Sequence, residues 1–199
     1  MRKGHIHAGI TGGAFLFKTL LDADRQDLIF PMVNKDTYPS WGLMRRNGAT
    51  AITESWRMDN SLCHSSYLYV GTWFIGGLAG IKTDPDRPGF QRFVLKPGLI
   101  DDPSMTWVNA HHDSLYGRIE RGWRIDDDRV LTLNATVPPN KTATLYLPTA
   151  DDKAFTEGGI ELAKAEGLEH LRTENGCAAI ELTAGAYEFR SSLAVVARR

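Results

Sequence analysis

The sequence predicts a protein of mixed α and β structure, with helices in its first half and an antiparallel β-sandwich in its second. Apolar residues recur at steps of three and four before residue 83 and at steps of two after residue 84. The change falls at TDPDRPG, residues 83–89, where two prolines and a glycine in seven residues predict a linker or a sharp turn. We therefore expect two domains, residues 1–83 and 84–199.

Helical spacing dominates the first half. Helices are expected over residues 6–21, over 25–33, in a short segment that ends at Asn47-Gly48, and over 65–81. Pro31 should break or kink the second of these helices. Gly9, Gly12 and Gly13 would each weaken an isolated first helix by about 1 kcal/mol. We therefore expect a neighbouring helix or loop to approach this segment closely.

Short alternating segments separated by turn residues fill the second half. Strands are expected near residues 90–96, 105–112, 117–125, 129–137, 142–147, 168–173, 177–182 and 186–191. Residues 160–166 contain helix formers, but glycines bracket them, and we interpret the segment as loop or strand. This density of short strands predicts an antiparallel sandwich.

Composition excludes several classes of function. The net charge of -1 offers no basic field to a phosphate backbone, so no nucleic-acid partner is expected. No apolar run reaches the roughly 18 residues of a membrane span. Cys63 and Cys177 stand alone, and the histidines lack accompanying carboxylates at ligand spacing, so neither metal nor cofactor is expected. Isolated cysteines favour a reduced, cytoplasmic chain, while the localisation itself stays open.

The residues that could carry chemistry are concentrated in one segment, residues 37–64. It contains Trp41, Glu54, Trp56, Asp59 and His64. A pyranose has apolar C–H faces that stack on aromatic rings, and hydroxyls that need paired donors and acceptors. A nearby carboxylate can activate water or protonate a leaving oxygen. We therefore take Glu54 as the candidate catalytic residue, with Trp41, Trp56 and His64 as candidate sugar contacts.

Ordinary structural roles are open for the same residues. Most glutamates are solvated or cap a helix, and tryptophans belong to a core more often than to a ligand platform. His64 could be a satisfied structural histidine or a cap for the helix that follows. Asp59 and Asn60 most simply begin a turn.

Several long motifs in this order resemble the C-terminal part of bacterial α-L-rhamnosidases of the glycoside hydrolase 78 type. They are TYPSWG, NGATAITESW, SLCHSSY, VGTWFIGGLAGI, GIKTDPDRPGFQRFVLKP, DSLYGRIERGW and TVPPNKTATLYLPT. The resemblance runs from Gly4 to about Ser191, and no single short pattern carries it. It implies the last helices of an (α/α)6 toroid followed by a C-terminal β-sandwich. It also implies hydrolysis of terminal α-L-rhamnosides with inversion.

The resemblance also implies roles for the candidate residues. The family's general base lies in the segment that matches ATAITESW, which gives the role to Glu54. Trp41 and His64 fall on positions that resemble sugar-contacting residues, and Trp56 would shape the same wall. Thr53 departs from the family, which usually has tryptophan immediately before the base.

A second departure concerns the general acid, which lies far upstream in the family, and nothing in residues 1–36 resembles it. We therefore expect a fragment that carries the base but lacks the acid and is inactive alone. Its expected partners are a rhamnose-containing glycoside and a companion chain that supplies the missing helices. The alternative is a non-catalytic carbohydrate-binding or structural remnant.

Overall fold

The computed structural model describes residues 4–149, 151–174 and 176–192 of the chain. The chain forms two compact units, Met1–Gly77 and Leu78–Arg199, called here the helical unit and the sandwich unit. The predicted mixture of helices and two sheets is confirmed. The expected domain division at residues 83 and 84 stays a prediction.

Four helical segments precede the sheets in the described residues: α1 Ile10–Asp22, α2 Gln26–Val33, α3 Trp41–Arg46, and α4 Val70–Thr72, which continues as a π-helix over Trp73–Ala79. Ser40 begins α3, because its hydroxyl accepts a hydrogen bond from the backbone N–H of Leu43 at 3.0 Å. Gly48 follows α3 with φ +84°, so the predicted stop at Asn47-Gly48 is confirmed. Pro31 lies inside α2, which runs on to Val33.

Two helix boundaries differ from the prediction. The first helix begins at Ile10 rather than at residue 6, because Gly9 is extended. The helix expected over residues 65–81 begins at Val70 and ends at Ala79. Gly80 then takes φ +76°, which ends the helix, and Ile81 pairs with Leu95 as the first residue of a strand.

The close approach expected at the glycines of the first helix occurs at Gly13. A Cβ atom there would clash with the hydroxyl of Tyr69. Gly9 has no atom within 4 Å of such a Cβ, and Gly12 has only the side chain of Ala8 at 3.6 Å. One glycine of the three therefore admits a neighbour from another segment.

The strands form two sheets. Their bounds are β1 Ile81–Thr83, β2 Arg92–Leu95, β3 Trp107–Ser114, β4 Gly117–Ile125, β5 Val130–Val137, β6 Thr142–Leu147, β7 Thr156–Glu157, β8 Ile160–Glu161, β9 Leu168–Glu174, β10 Cys177–Leu182 and β11 Gly185–Ser192. One sheet has the order β1-β2-β6-β10-β9 and the other β3-β4-β5-β11-β7-β8. Among the described residues only β2 and β6 pair in parallel. The predicted strands over 117–125, 142–147 and 177–182 are confirmed at their bounds.

The inward residues of both sheets form one apolar core in the sandwich unit. Leu131, Leu133, Ala135 and Val137 alternate into it along β5, as the sequence pattern predicts. Trp123 is 2% exposed, and its indole N–H donates to the carbonyl of Leu78 at 2.9 Å. The core is therefore complete within the sandwich unit.

Arg121 places a cation among the inward residues of β4. Its side chain is 1% exposed, and Nη1 donates to the carbonyls of Asn134 at 2.7 Å and Gly122 at 3.3 Å. Nε and Nη2 are buried without a hydrogen-bond partner in the described part of the chain. Burial lowers the pKa of the Arg121 guanidinium to about 9. The folded state therefore carries the cost of a desolvated charge.

We expect Arg121→Met to raise the free energy of unfolding by about 1–4 kcal/mol at neutral pH, because methionine fills a similar volume without a charge. The pKa of the folded Arg121 guanidinium lies below that of the unfolded chain, so the folded wild type releases its proton first. Wild-type stability should then rise as the pH increases above about 9, and the advantage of the variant should shrink there. Urea unfolding of both proteins at pH values below and above about 9 measures the difference.

Arg124→Met is the matched control, because Arg124 lies on the same strand with an exposed side chain. Its effect on unfolding should stay within about 0.5 kcal/mol. Destabilisation by Arg121→Met alone would show that the guanidinium is compensated in the folded state.

Candidate functional site

Glu54 lies at the neck of a closed loop, residues 52–64, called here the carboxylate loop. The backbone N–H of His64 donates to the carbonyl of Ile52 at 2.7 Å, and that of Glu54 donates to the carbonyl of Ser61 at 2.9 Å. The N–H of Ser61 in turn donates to Oε2 of Glu54 at 3.2 Å. Two of these three hydrogen bonds hold the half-buried Glu54, and the one from Ser61 orients its carboxylate.

The tip of the carboxylate loop is held by its own side chains. Ser55 Oγ donates to Asp59 at 2.5 Å and accepts from the N–H of Arg57 at 3.2 Å. Met58 adopts φ +60°, the left-handed conformation of a tight turn. Asp59 therefore stabilises the turn, as the sequence suggested, and Glu54 is the acidic side chain held at the loop's neck.

Thr53 faces the interior. Its side chain is fully buried, and its hydroxyl donates to the carbonyl of Ser55 at 2.8 Å. The residue before Glu54 is therefore a small side chain that ties the loop to itself.

Trp41 and Trp56 belong to an aromatic cluster of five rings, Phe17, Trp41, Trp56, Tyr67 and Tyr69. Trp41 meets Trp56 edge to face with ring centroids 4.9 Å apart, and Trp56 stacks on Tyr67 at 3.8 Å. The indole N–H of Trp41 donates to the carbonyl of Tyr67 at 3.0 Å. Both tryptophans are 9% exposed, so they are largely covered within the helical unit.

Two polar atoms of the aromatic cluster lack a partner in the described ranges. They are the indole N–H of Trp56 and the hydroxyl of Tyr69, both buried. Burial raises the pKa of Tyr69 and of Tyr67, so both hydroxyls keep their protons at neutral pH. The cluster therefore holds two unsatisfied neutral groups that can form hydrogen bonds.

His64 closes the carboxylate loop and remains exposed. Its Nδ1 accepts a hydrogen bond from the backbone N–H of Ser66 at 3.0 Å and lies 2.5 Å from the hydroxyl of the same residue. An accepting Nδ1 carries no proton, so the neutral ring carries its proton on Nε2. His64 is thus a cap for the following turn with a donor left on its other nitrogen.

Tyr67 and Tyr69 are cluster members that sequence reasoning missed. The helix expected over residues 65–81 included both tyrosines, whereas they precede α4 and contact the aromatic cluster. They lie in hydrogen-bonded turns between residues 65 and 72, and no sequence period indicates their contacts.

The residues that the structure describes contain neither a cluster of metal ligands nor a helix that could span a membrane. No three His, Cys, Asp or Glu side chains there converge as a metal site. No helix in the same ranges has the length and apolar character to cross a membrane. Cys63 is exposed and Cys177 is buried, and neither forms a disulfide in the described part of the chain.

Two protein-family models match this chain, each over a different part. Residues 1–78 match the family model of the bacterial α-L-rhamnosidase six-hairpin glycosidase domain. Residues 80–160 match that of the bacterial α-L-rhamnosidase C-terminal domain.

Individual proteins similar to this chain are also α-L-rhamnosidases. The chain is 27% identical to an α-L-rhamnosidase of Formosa agariphila, over 94% of this chain and 21% of the relative. It is 29% identical to one of Streptomyces avermitilis, over 93% and 18%. It thus spans about a fifth of the length of these relatives.

Solved structures show the same fold. An α-L-rhamnosidase from Dictyoglumus thermophilum superimposes with a TM-score of 0.80 at 24% identity, over 96% of this chain and 22% of that one. The Streptomyces avermitilis α-L-rhamnosidase complexed with L-rhamnose gives a TM-score of 0.80 at 26% identity, over 96% and 18%.

Proposed function

The chain belongs to the bacterial α-L-rhamnosidase family, and we propose that it contributes the general base, Glu54, to an inverting α-L-rhamnosidase. The observation that carries this proposal is the position of Glu54 at the hydrogen-bonded neck of the carboxylate loop, two residues from Trp56 of the aromatic cluster.

The hydrogen bonding of the Glu54 carboxylate supports the role of general base. The Ser61 N–H fixes Oε2 at 3.2 Å, while Oε1 has no hydrogen-bond partner among the described residues. One oxygen is thus anchored and the other can accept the proton of an attacking water. Because the anchor is a backbone group, the carboxylate is oriented by the fold of the loop itself.

The aromatic cluster and His64 supply the remaining features of a sugar site. Trp56 belongs to the carboxylate loop and contacts Trp41 edge to face, and in this proposal the two rings form the apolar wall of the sugar site. The Nε2–H of His64 can donate to a hydroxyl of the sugar, since Nδ1 is already occupied by Ser66. The binding roles of Trp41, Trp56 and His64 are part of the proposal.

Inversion requires a second carboxyl group, which lies about 6.5–9.5 Å from the base in such enzymes to leave room for water. Water attacks the anomeric carbon and gives its proton to Glu54. The acid protonates the glycosidic oxygen as the bond from that oxygen to the anomeric carbon breaks. We place this acid in the part of the relatives that the chain does not span.

Exposed apolar side chains of the helical unit support a companion polypeptide. Phe15 is 68% exposed, Leu62 62% and Leu68 55%. An element packed on these side chains would remove their apolar area from water. We propose that the remaining hairpins of a six-hairpin domain cover them.

The second candidate function is a non-catalytic carbohydrate-binding or structural remnant. Its supporting observation is the burial of both indoles and the use of the Trp41 N–H on the carbonyl of Tyr67. In this alternative the aromatic cluster is only a core, and Glu54 only closes its loop through Ser61.

Hydrolysis of an aryl α-L-rhamnoside tests the proposal. The chain alone should give no turnover. The chain combined with polypeptide that matches the remaining length of the six-hairpin domain should release the aglycone, with β-L-rhamnose as the first sugar product by proton NMR. Initial release of the α anomer would exclude inversion, and no turnover by the reconstituted enzyme would favour the non-catalytic alternative.

A further inference from the structure

A groove of about 540 Å³ opens on the outer face of the six-stranded sheet, within the sandwich unit. It lies over β3, β4, β5 and β11, whose alternate residues face away from the core. Its volume lies within the range of small-ligand sites. Glu54 and the aromatic cluster are not among its lining residues.

Gly122 forms the floor of the groove. In the strand register it lies between Asn109 of β3 and Asn134 of β5, and Asn134 in turn faces Glu188 of β11. A Cβ atom at Gly122 would lie 3.1 Å from the carbonyl of Val108. The missing side chain therefore leaves a depression between two carboxamides.

Trp107 stands at one end of this depression. It is 65% exposed, whereas Trp123 of the neighbouring strand is 2% exposed and hydrogen-bonded in the core. Trp107 is paired in register with Arg124, the next outward residue along β4 from Gly122. An indole left in solvent beside a groove offers a flat apolar surface for stacking.

The polar groups of the groove are of mixed type. The side-chain amides of Asn109 and Asn134 have no hydrogen-bond partner among the described residues. Glu120 accepts from the hydroxyl of Thr136 at 3.3 Å, and Glu188 is exposed. The two carboxylates balance the two arginines of the lining, Arg121 and Arg124, so the groove offers donors and acceptors without a net positive charge. This combination disfavours phosphate groups and suits neutral hydroxyls.

We propose that this groove binds a neutral saccharide, with the apolar face of a sugar ring on Trp107 and its hydroxyls on Asn109 and Asn134. The site is separate from the carboxylate loop, and its residues belong to the other compact unit. It would hold a glycan without cleaving it.

Isothermal titration of the whole chain with L-rhamnose, D-galactose, D-glucose and their disaccharides tests the proposal. At least one saccharide should bind, with a Kd on the order of 1 mM. Trp107→Ala should raise that Kd about tenfold or more through the loss of stacking, and Asn134→Ala should raise it as well. Circular dichroism of each variant verifies that the sheet is retained.

One control variant assigns the binding to this groove. Leu115→Ala changes a side chain that is 97% exposed in the turn after β3, outside the groove, and should leave the Kd unchanged. The weaker binding of Trp107→Ala separates this site from the proposed catalytic one, because Trp107 lies in the sandwich unit. The proposal is overturned if no saccharide binds at tens of millimolar, or if folded Trp107→Ala binds as tightly as the wild type.

Discussion

Replacing Glu54 by glutamine is expected to lower the kcat of α-L-rhamnoside hydrolysis by about 10²–10⁴-fold in the enzyme reconstituted with its remaining hairpins. An amide cannot take a proton from the attacking water at neutral pH. The side-chain oxygen of glutamine can still accept the hydrogen bond from the Ser61 N–H, which lies 3.2 Å from Oε2 in the wild type. The loop should therefore keep its shape, and KM should change little, because the loss falls on the chemical step.

Asp59→Asn is the matched control for this prediction. Asp59 belongs to the same loop, and its carboxylate accepts a hydrogen bond from Ser55 at the tip. This change of charge should leave kcat within a few-fold of wild type. Steady-state kinetics with an aryl α-L-rhamnoside measures both variants. Equal losses in the two variants would assign the effect to the shape of the loop and remove Glu54 from the role of base.

Periodicity predicted the sheets better than the last helix. The period of two along β4 and β5 reflects one buried face, so the strand at 117–125 could be placed from sequence. Leu78 and Ile81 also match a helical period, which extended the predicted helix beyond its end. The residue that ends it is Gly80, which has a positive φ, and the next residue, Ile81, pairs with Leu95. A helical pattern cannot reveal a partner that lies far along the chain.

For the candidate site, the sequence likewise predicted the residues but not their contacts. Sequence selected Glu54, Trp41, Trp56 and His64 by residue type and resemblance, but their contacts depend on the folded loop. The bond from the Ser61 N–H to Glu54 spans seven residues and follows no regular period. The groove at Gly122 could not be expected either, because it arises from the register of three strands. Residue types are local information, whereas cross-strand neighbours are set by the topology.

We expect Gly80→Ala to lower the free energy of unfolding by about 2–5 kcal/mol, through left-handed backbone strain and overpacking together. A Cβ atom at this position would collide with the carbonyl of Lys96. That carbonyl cannot move aside easily, because the N–H of Lys96 donates to the carbonyl of Gly80 at 2.9 Å and continues the β1–β2 ladder. The midpoint of urea unfolding should fall while its slope stays the same.

Gly89→Ala separates the two causes of this loss. Gly89 also has a positive φ, +92° against +76° at Gly80, but a Cβ atom there would meet nothing within 4 Å. Its substitution should therefore cost only the conformational strain of about 1–2 kcal/mol. The difference between the two variants measures the collision with the Lys96 carbonyl. Equal losses would mean that β1 and β2 separate at little cost, and that the chain reversal at Gly80 is set by backbone conformation alone.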